Sequence, residues 1–150
     1  MNTDTDTEWD LDVRPRKTAR FAIAIAASLV VLFSVLGALL RTSATGVYFR
    51  VADQIAMVLL GMLLAGGVLL LARPRLRAGA SGVLVRNAFS EKHVDWNVIR
   101  GLSFSDGASW ARIELPDDEY IPVLAIQAND RMHAVDATQR FRALYAKYGR

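Results

Sequence analysis

The chain has 150 residues, of which 53% are hydrophobic, and 18 Lys/Arg against 15 Asp/Glu give a net charge of +3. That length allows one modest folded domain. The absence of cysteine excludes disulfides, thiolate chemistry and cysteine-ligated metal centres, and the lack of a dense basic stripe speaks against nucleic acid as a partner.

Residues 1–20 begin with five acids (Asp4, Asp6, Glu8, Asp10, Asp12) and continue with four bases (Arg14, Arg16, Lys17, Arg20). Such charge density predicts a disordered acidic-then-basic tail, with Trp9 and Leu11 its only docking residues. Residues 21–40 carry no charge. As a helix they would extend roughly 30 Å, the thickness of a bilayer's hydrocarbon core. Ser28 and Ser34 fit there by bonding back to helix carbonyls. A cleaved signal peptide ending near Thr42-Ser43-Ala44 is the competing reading; the long acidic leader and the long apolar stretch both argue against it.

Residues 41–54 form an expected external loop with Arg41 and Arg50 offset by Asp53, and with Tyr48 and Phe49 as aromatic interface anchors. Residues 55–72 supply a second uncharged span. Gly61 and Ala65 make a small-xxx-small pair, extended by Gly66 and Gly67, that lets another helix approach closely. Tight packing within the hairpin is favoured over a dedicated dimer motif. Bases outnumber those of the loop both before the first span and after the second. Both termini are therefore expected in the cytoplasm, with the chain in the plasma membrane. A soluble pair of buried helices is disfavoured, because the remaining residues 73–150 could not cover two helices apolar on every side. Arg73, Arg75 and Arg77 around Pro74 are expected to end the second helix at headgroup level, each worth about 1 kcal/mol against anionic lipid phosphates.

Beyond the spans the hydrophobic period changes to two. Val83 and Val85, Val94 and Trp96, Leu102 and Phe104, Ala111 with Ile113 and Leu115, and Ile121 with Val123 and Ala125 predict about five short strands. Asn87, Ser105-Asp106-Gly107 and Pro116-Asp117-Asp118-Glu119 supply the turns. Ala137, Phe141, Leu144, Tyr145 and Tyr148 then mark one face of an amphipathic helix. The expected architecture is a two-helix transmembrane hairpin followed by a small α+β domain, a curved antiparallel sheet or partial barrel closed by a C-terminal helix.

The run Val94, Trp96, Ile99, Gly101, Leu102, Phe104 resembles the "Val-x-Trp-x-x-Ile-x-Gly-Leu-x-Phe" signature of the bacterial pleckstrin-homology-like (PH-like) domains. The resemblance is greatest to the actinobacterial membrane group that includes low molecular weight protein antigen 6. Gly107 to Arg112 is similar to that group's "Gly-Ser-Trp-Ala-Arg" hairpin with one residue inserted. The likeness covers roughly residues 73–150 and implies a PH-like fold. The long acidic tail departs from the pattern.

Sites for chemistry are sparse. His93 and His133 lie far apart in sequence, and no spacing suggests the three or four convergent ligands of a metal centre. Asp117-Asp118-Glu119 reads as a solvated hairpin tip. Gly66-Gly67 and Gly101 lack the context of a phosphate loop, and no Ser, His and Asp suggest a nucleophile. Trp96 and Trp110 alternate with polar neighbours, which predicts half-buried strand packing ahead of exposed anchors. Arg86 and Lys92 alone flank Asn87 to Glu91, too few bases for inositide recognition of the eukaryotic PH kind. The expectation is a non-enzymatic interaction module without cofactor. It would present a protein- or lipid-surface-binding domain at the cytoplasmic membrane face, with the bilayer and an unidentified protein as partners. The alternative is a small structural subunit of a larger membrane complex acting through its helices.

Overall fold

Trp9-Asp-Leu-Asp-Val13 alternates apolar with charged residues, and it forms a strand, β1 (Trp9–Val13), with Leu11 and Val13 buried. This corrects the expectation of a disordered tail: the two aspartates face out while the apolar set joins a core, the half-buried strand pattern. The computed structural model describes residues 9–42 and 48–149. Asp4, Asp6 and Glu8, the middle of the expected external loop, and Ser43 and Ala44 of the alternative cleavage site lie outside the described residues. The chain divides into two compact units, one holding residues up to Lys17 together with those from Arg73 onward, the other spanning Thr18–Ala72.

In the first unit β1 pairs antiparallel with β2 (Arg75–Gly79), β2 with β3 (Gly82–Arg86) and β3 with β4 (Glu91–Val94). A second antiparallel sheet runs β5 (Gly101–Ser103), β6 (Trp110–Glu114), β7 (Tyr120–Gln127). Helix α3 (Met132–Tyr148) closes the domain. The helical segment ends at Ala72, just before Arg73, and Arg75 and Arg77 of the expected stop belong to strand β2. Its Leu76 and Ala78 point into the core and its arginines alternate outward. Gly82 completes the β2–β3 turn at φ +130°, where a Cβ would stand 2.8 Å from the Val94 carbonyl oxygen. Only glycine meets both demands without strain.

Trp96 is not on a strand. It opens a one-turn 3-10 helix (Trp96–Val98) after β4 and is 6% exposed, so the half-buried strand reading fails for it. Its indole Nε1–H donates to the Gly79 carbonyl oxygen at 2.7 Å, which satisfies the one polar group of a buried indole. Its ring packs on α3, with centroids 5.5 Å from Phe141, 6.3 Å from Tyr145 and 6.1 Å from Tyr148. The helical stripe thus packs on Trp96 as well as joining the core with Ala134, Ala137 and Phe141. Trp110 does begin a strand and remains 44% exposed.

The second unit holds most of α1 (Lys17–Thr42), and α2 (Val51–Leu69) with its 3-10 extension (Leu70–Ala72). The residues they bury are small: Ala22, Ala26 and Gly37 on α1, Gly61 and Ala65 on α2. A Cβ on Gly61 would meet Phe33 Cβ at 2.7 Å, so glycine there lets the two helices touch. Ser28 and Ser34 hydroxyls donate to Ala24 and Val30 carbonyls. At the start of α2, the Arg50 N–H donates to the Asp53 carboxylate at 2.8 Å, and that negative charge suits the helix N-terminus. Leu, Ile, Val and Phe side chains cover the outside of both helices. Both are long and apolar enough to cross a membrane.

Candidate interaction surface

Antiparallel register decides which parts of the chain gather at one end of the first sheet. Val13, last in β1, pairs with Leu76 near the start of β2. Arg75 pairs with Arg86 at the end of β3, and Arg86 with Glu91 at the start of β4. One end of the sheet therefore holds the departure toward α1 (Arg14 to Lys17), the return from α2 (Arg73, Pro74) and the β3–β4 turn. We call it the junction end.

Two contacts bring the start of α3 to the same end. The carboxylate of Asp130, 7% exposed, accepts the backbone N–H of Arg16 through Oδ2 and of Lys17 through Oδ1, each at 3.0 Å. These are donors that the start of α1 would otherwise leave without partners. His133 Nε2 lies 3.1 Å from the Arg14 carbonyl oxygen. His133 thus holds the α3 start against the β1 exit.

The β3–β4 turn is pinned from beneath. Asn87 is buried; its Nδ2–H donates to the Pro122 carbonyl at 2.9 Å and its Oδ1 accepts the Leu124 N–H at 3.3 Å. Its own N–H donates to the Ser90 carbonyl oxygen at 2.8 Å. The turn so fixed carries Phe89, 88% exposed. At the α3 start Met132 is 76% exposed. The same end of the sheet carries exposed Arg14, Arg16, Lys17, Arg73 and Arg131, of which Arg73 shares a cleft with Phe89. The acids nearby are committed: Glu91 to an ion pair with Arg86, Asp130 to the buried contact above.

The three arginines expected to share a headgroup-level stop are spread along β2 and the residues before it. Arg73 is at the junction end; Arg75 binds the Asp12 carboxylate bidentately, with Nε to Oδ1 at 2.7 Å. That hydrogen bond holds the Asp12 carboxyl below its ordinary value, against partial burial and with help from the charges of Arg75, Arg14 and Arg77. Arg77 stands opposite Asp12 in the β1–β2 register.

At the opposite end of the first sheet, Asp10 accepts a hydrogen bond from the Tyr148 hydroxyl at 2.8 Å and lies 3.8 Å from Lys147. The hydrogen bond to Tyr148 holds the Lys147 ammonium above its ordinary value. His93 is exposed, 3.8 Å from Asp95. The β6–β7 turn carries Asp117 and Asp118, both at positive φ (59° and 58°). Beside it, a cavity of about 380 Å³ is lined by Arg100, Arg112, Glu114 and Tyr120. There the Ser103 hydroxyl, 2.6 Å from Glu114, and then Arg112 hold the Glu114 carboxyl below its ordinary value. Within this cavity Arg112 pairs with Glu114 at 3.4 Å, while Asp117, Asp118 and Glu119 of the turn add further acids to its lining. Among the described residues no three His, Asp or Glu converge as a metal site.

Sequence reasoning placed Arg73 near this surface but missed Phe89, Met132, Arg131 and Asp130. An aromatic inside the Asn87-Ala-Phe-Ser90 turn was the available signal for the first; nothing local announces the others.

Two packed antiparallel sheets closed by a C-terminal helix define a PH-like domain, and comparison with known proteins agrees. Residues 73–144 match the family described as "Bacterial PH domain". Uncharacterized protein Rv1417 of Mycobacterium tuberculosis is 49% identical over 146 residues, covering 97% of this chain and 95% of the relative. Uncharacterized protein Mb1452 of Mycobacterium bovis matches to the same extent. The chain belongs to the same family as these mycobacterial proteins, and the match over its C-terminal part is consistent with a PH-like fold. No solved structure matches the chain.

Proposed function

We propose that this protein is a membrane-anchored, non-enzymatic interaction module. Its two-helix hairpin holds the PH-like domain on the cytoplasmic face of the plasma membrane, in the manner of the actinobacterial antigen 6 group. The observation that carries this is the pairing of β1 with β2 across the hairpin. Paired strands lie about 5 Å apart. A chain that leaves the domain after Val13 and returns before Leu76 must come back to the side it left, which two spans achieve and one does not. Cleavage near residue 44 would also remove β1, which counts against a signal peptide.

Orientation rests on Arg14, Arg16, Lys17 and Arg73 flanking the hairpin, against Arg41 and Arg50 between its helices. The non-enzymatic reading draws on the PH-like fold, a scaffold for surface recognition. Reporter fusions after Arg150 of the full chain test the orientation. A cytoplasmic fluorophore should be bright and a periplasmic-type phosphatase silent; the reverse pattern would refute it.

A second reading, a small subunit of a larger membrane complex, is favoured by one observation. A Cβ at Gly66 or Gly67 would meet nothing within 4 Å, so both leave α2 open to another helix. Replacing both by Leu should then disturb assembly in native gels while leaving the domain folded. Unchanged migration would remove this reading.

A further inference from the structure

We infer that the junction end of the domain is itself a lipid-docking surface, in which Phe89 and Met132 enter the headgroup region of an anionic leaflet while the surrounding bases engage its phosphates. The inference rests on the anchored reading above and adds a contact made by the folded domain, separate from the spans.

Four observations converge. Phe89 and Met132 are 88% and 76% exposed, although each is large and apolar, while Val83 and Val85 of β3 and Ala134, Ala137 and Phe141 of α3 are in the core. Their exposure is built in, since the Asn87 bonds to β7 hold the turn out and the Asp130 and His133 contacts fix the start of α3. Both lie at the end of the sheet where the chain departs for α1 and returns from α2, the end that chain connectivity brings to a bilayer surface when those helices span it. Finally, Arg14, Arg16, Lys17, Arg73 and Arg131 share that end, while Glu91 is engaged by Arg86, Asp12 by Arg75 and Asp130 in the buried contact with Arg16 and Lys17.

Apolar tips among bases are the composition that binds an anionic membrane interface: the bases are drawn to surface charge and the tips settle at the headgroup–acyl boundary. A protein partner of opposite charge would also meet the bases, but it would need to fit between the domain and the bilayer at the point of attachment. The geometry therefore favours lipid.

Because the chain has no cysteine, single labels are clean. The full chain would be reconstituted into vesicles of phosphatidylcholine with a third phosphatidylglycerol, as Phe89→Cys, Met132→Cys, Ser81→Cys and Leu32→Cys variants carrying an environment-sensitive fluorophore. Ser81 is exposed in the β2–β3 turn at the opposite end, and Leu32 is exposed on α1. Blue-shifted emission at 89 and 132, with several-fold stronger quenching by spin-labelled lipid than at 81, is the expected result. Labels at 89 and 132 as water-exposed as at 81, with 32 strongly quenched, would overturn the docking surface and leave the anchor standing. A label at 32 that lipid does not quench would overturn both. Equal quenching at 89 and 132 in vesicles of phosphatidylcholine alone would refute the role given to the bases.

Discussion

Replacing Leu11 by Ala should destabilise the PH-like domain by about 2–5 kcal/mol, although Leu11 lies more than sixty residues before the rest of that domain. Leu11 is 1% exposed and belongs to the same core as Leu76, Val85 and Phe141. Leu-to-Ala changes at fully buried sites cost that much through lost transfer energy and the cavity left behind. Folded domains hold about 0.05–0.15 kcal/mol per residue, hence roughly 4–12 kcal/mol for a domain of about 80 residues, so the loss is a large fraction of the whole. The assay is urea unfolding of the full chain in mild detergent, in a Trp9→Phe, Trp110→Phe background so that buried Trp96 reports alone. With a slope of about 1–1.5 kcal/mol per molar urea, a 3 kcal/mol loss moves the midpoint down by roughly 2–3 M. A change below about 0.5 kcal/mol, the range of ordinary surface substitutions, would mean that residues 9–13 do not pack as a strand, and the argument from β1–β2 pairing would fall with it.

Other substitutions probe separate features. Asp12→Asn should lower domain stability at neutral pH. The Asp12 carboxyl is held below its ordinary 3.8 by Arg75, so its contribution is complete above about pH 4 and fades as acid carries the pH down through the depressed folded value. Unfolding midpoints of the two proteins should accordingly differ at pH 7 and converge in strong acid; a gap independent of pH would contradict the pairing. Gly82→Ala, which sets a Cβ 2.8 Å from the Val94 carbonyl oxygen at φ +130°, should cost more than about 1 kcal/mol in the same titration. Gly61→Leu should separate α1 from α2, detectable as faster proteolysis of the hairpin in detergent, with the urea midpoint of the domain unchanged because the two units are distinct.

The two long apolar helices, the terminal helix and most hairpins were legible in the sequence because each has a strong local signature: long uncharged runs, a stripe at helical spacing, turn residues between alternating strands. Strand β1 was masked by its own charges, since Asp10 and Asp12 made the segment read as tail while Trp9, Leu11 and Val13 kept a period of two. Strand β2 was masked similarly, because its outward arginines matched what a helix stop would show. Trp96 read as a strand residue because Val94 and Trp96 continue the alternation, yet its ring is needed beneath α3, and a 3-10 turn delivers it there. The junction-end surface could not be read locally at all. It is assembled from residues 14–17, 73, 89 and 131–132, and only the antiparallel register and the Asp130 contact bring them together.

The central claim is that a hairpin interrupts the domain, crosses the membrane twice and leaves the domain inside. Labelling of single-cysteine variants with a membrane-impermeant maleimide in intact cells tests it most directly, with Tyr48→Cys between the helices and Ser81→Cys in the β2–β3 turn. The account predicts that position 48 is labelled from outside and position 81 only after permeabilisation. Labelling of 81 but not 48 in intact cells, or of both, would contradict it.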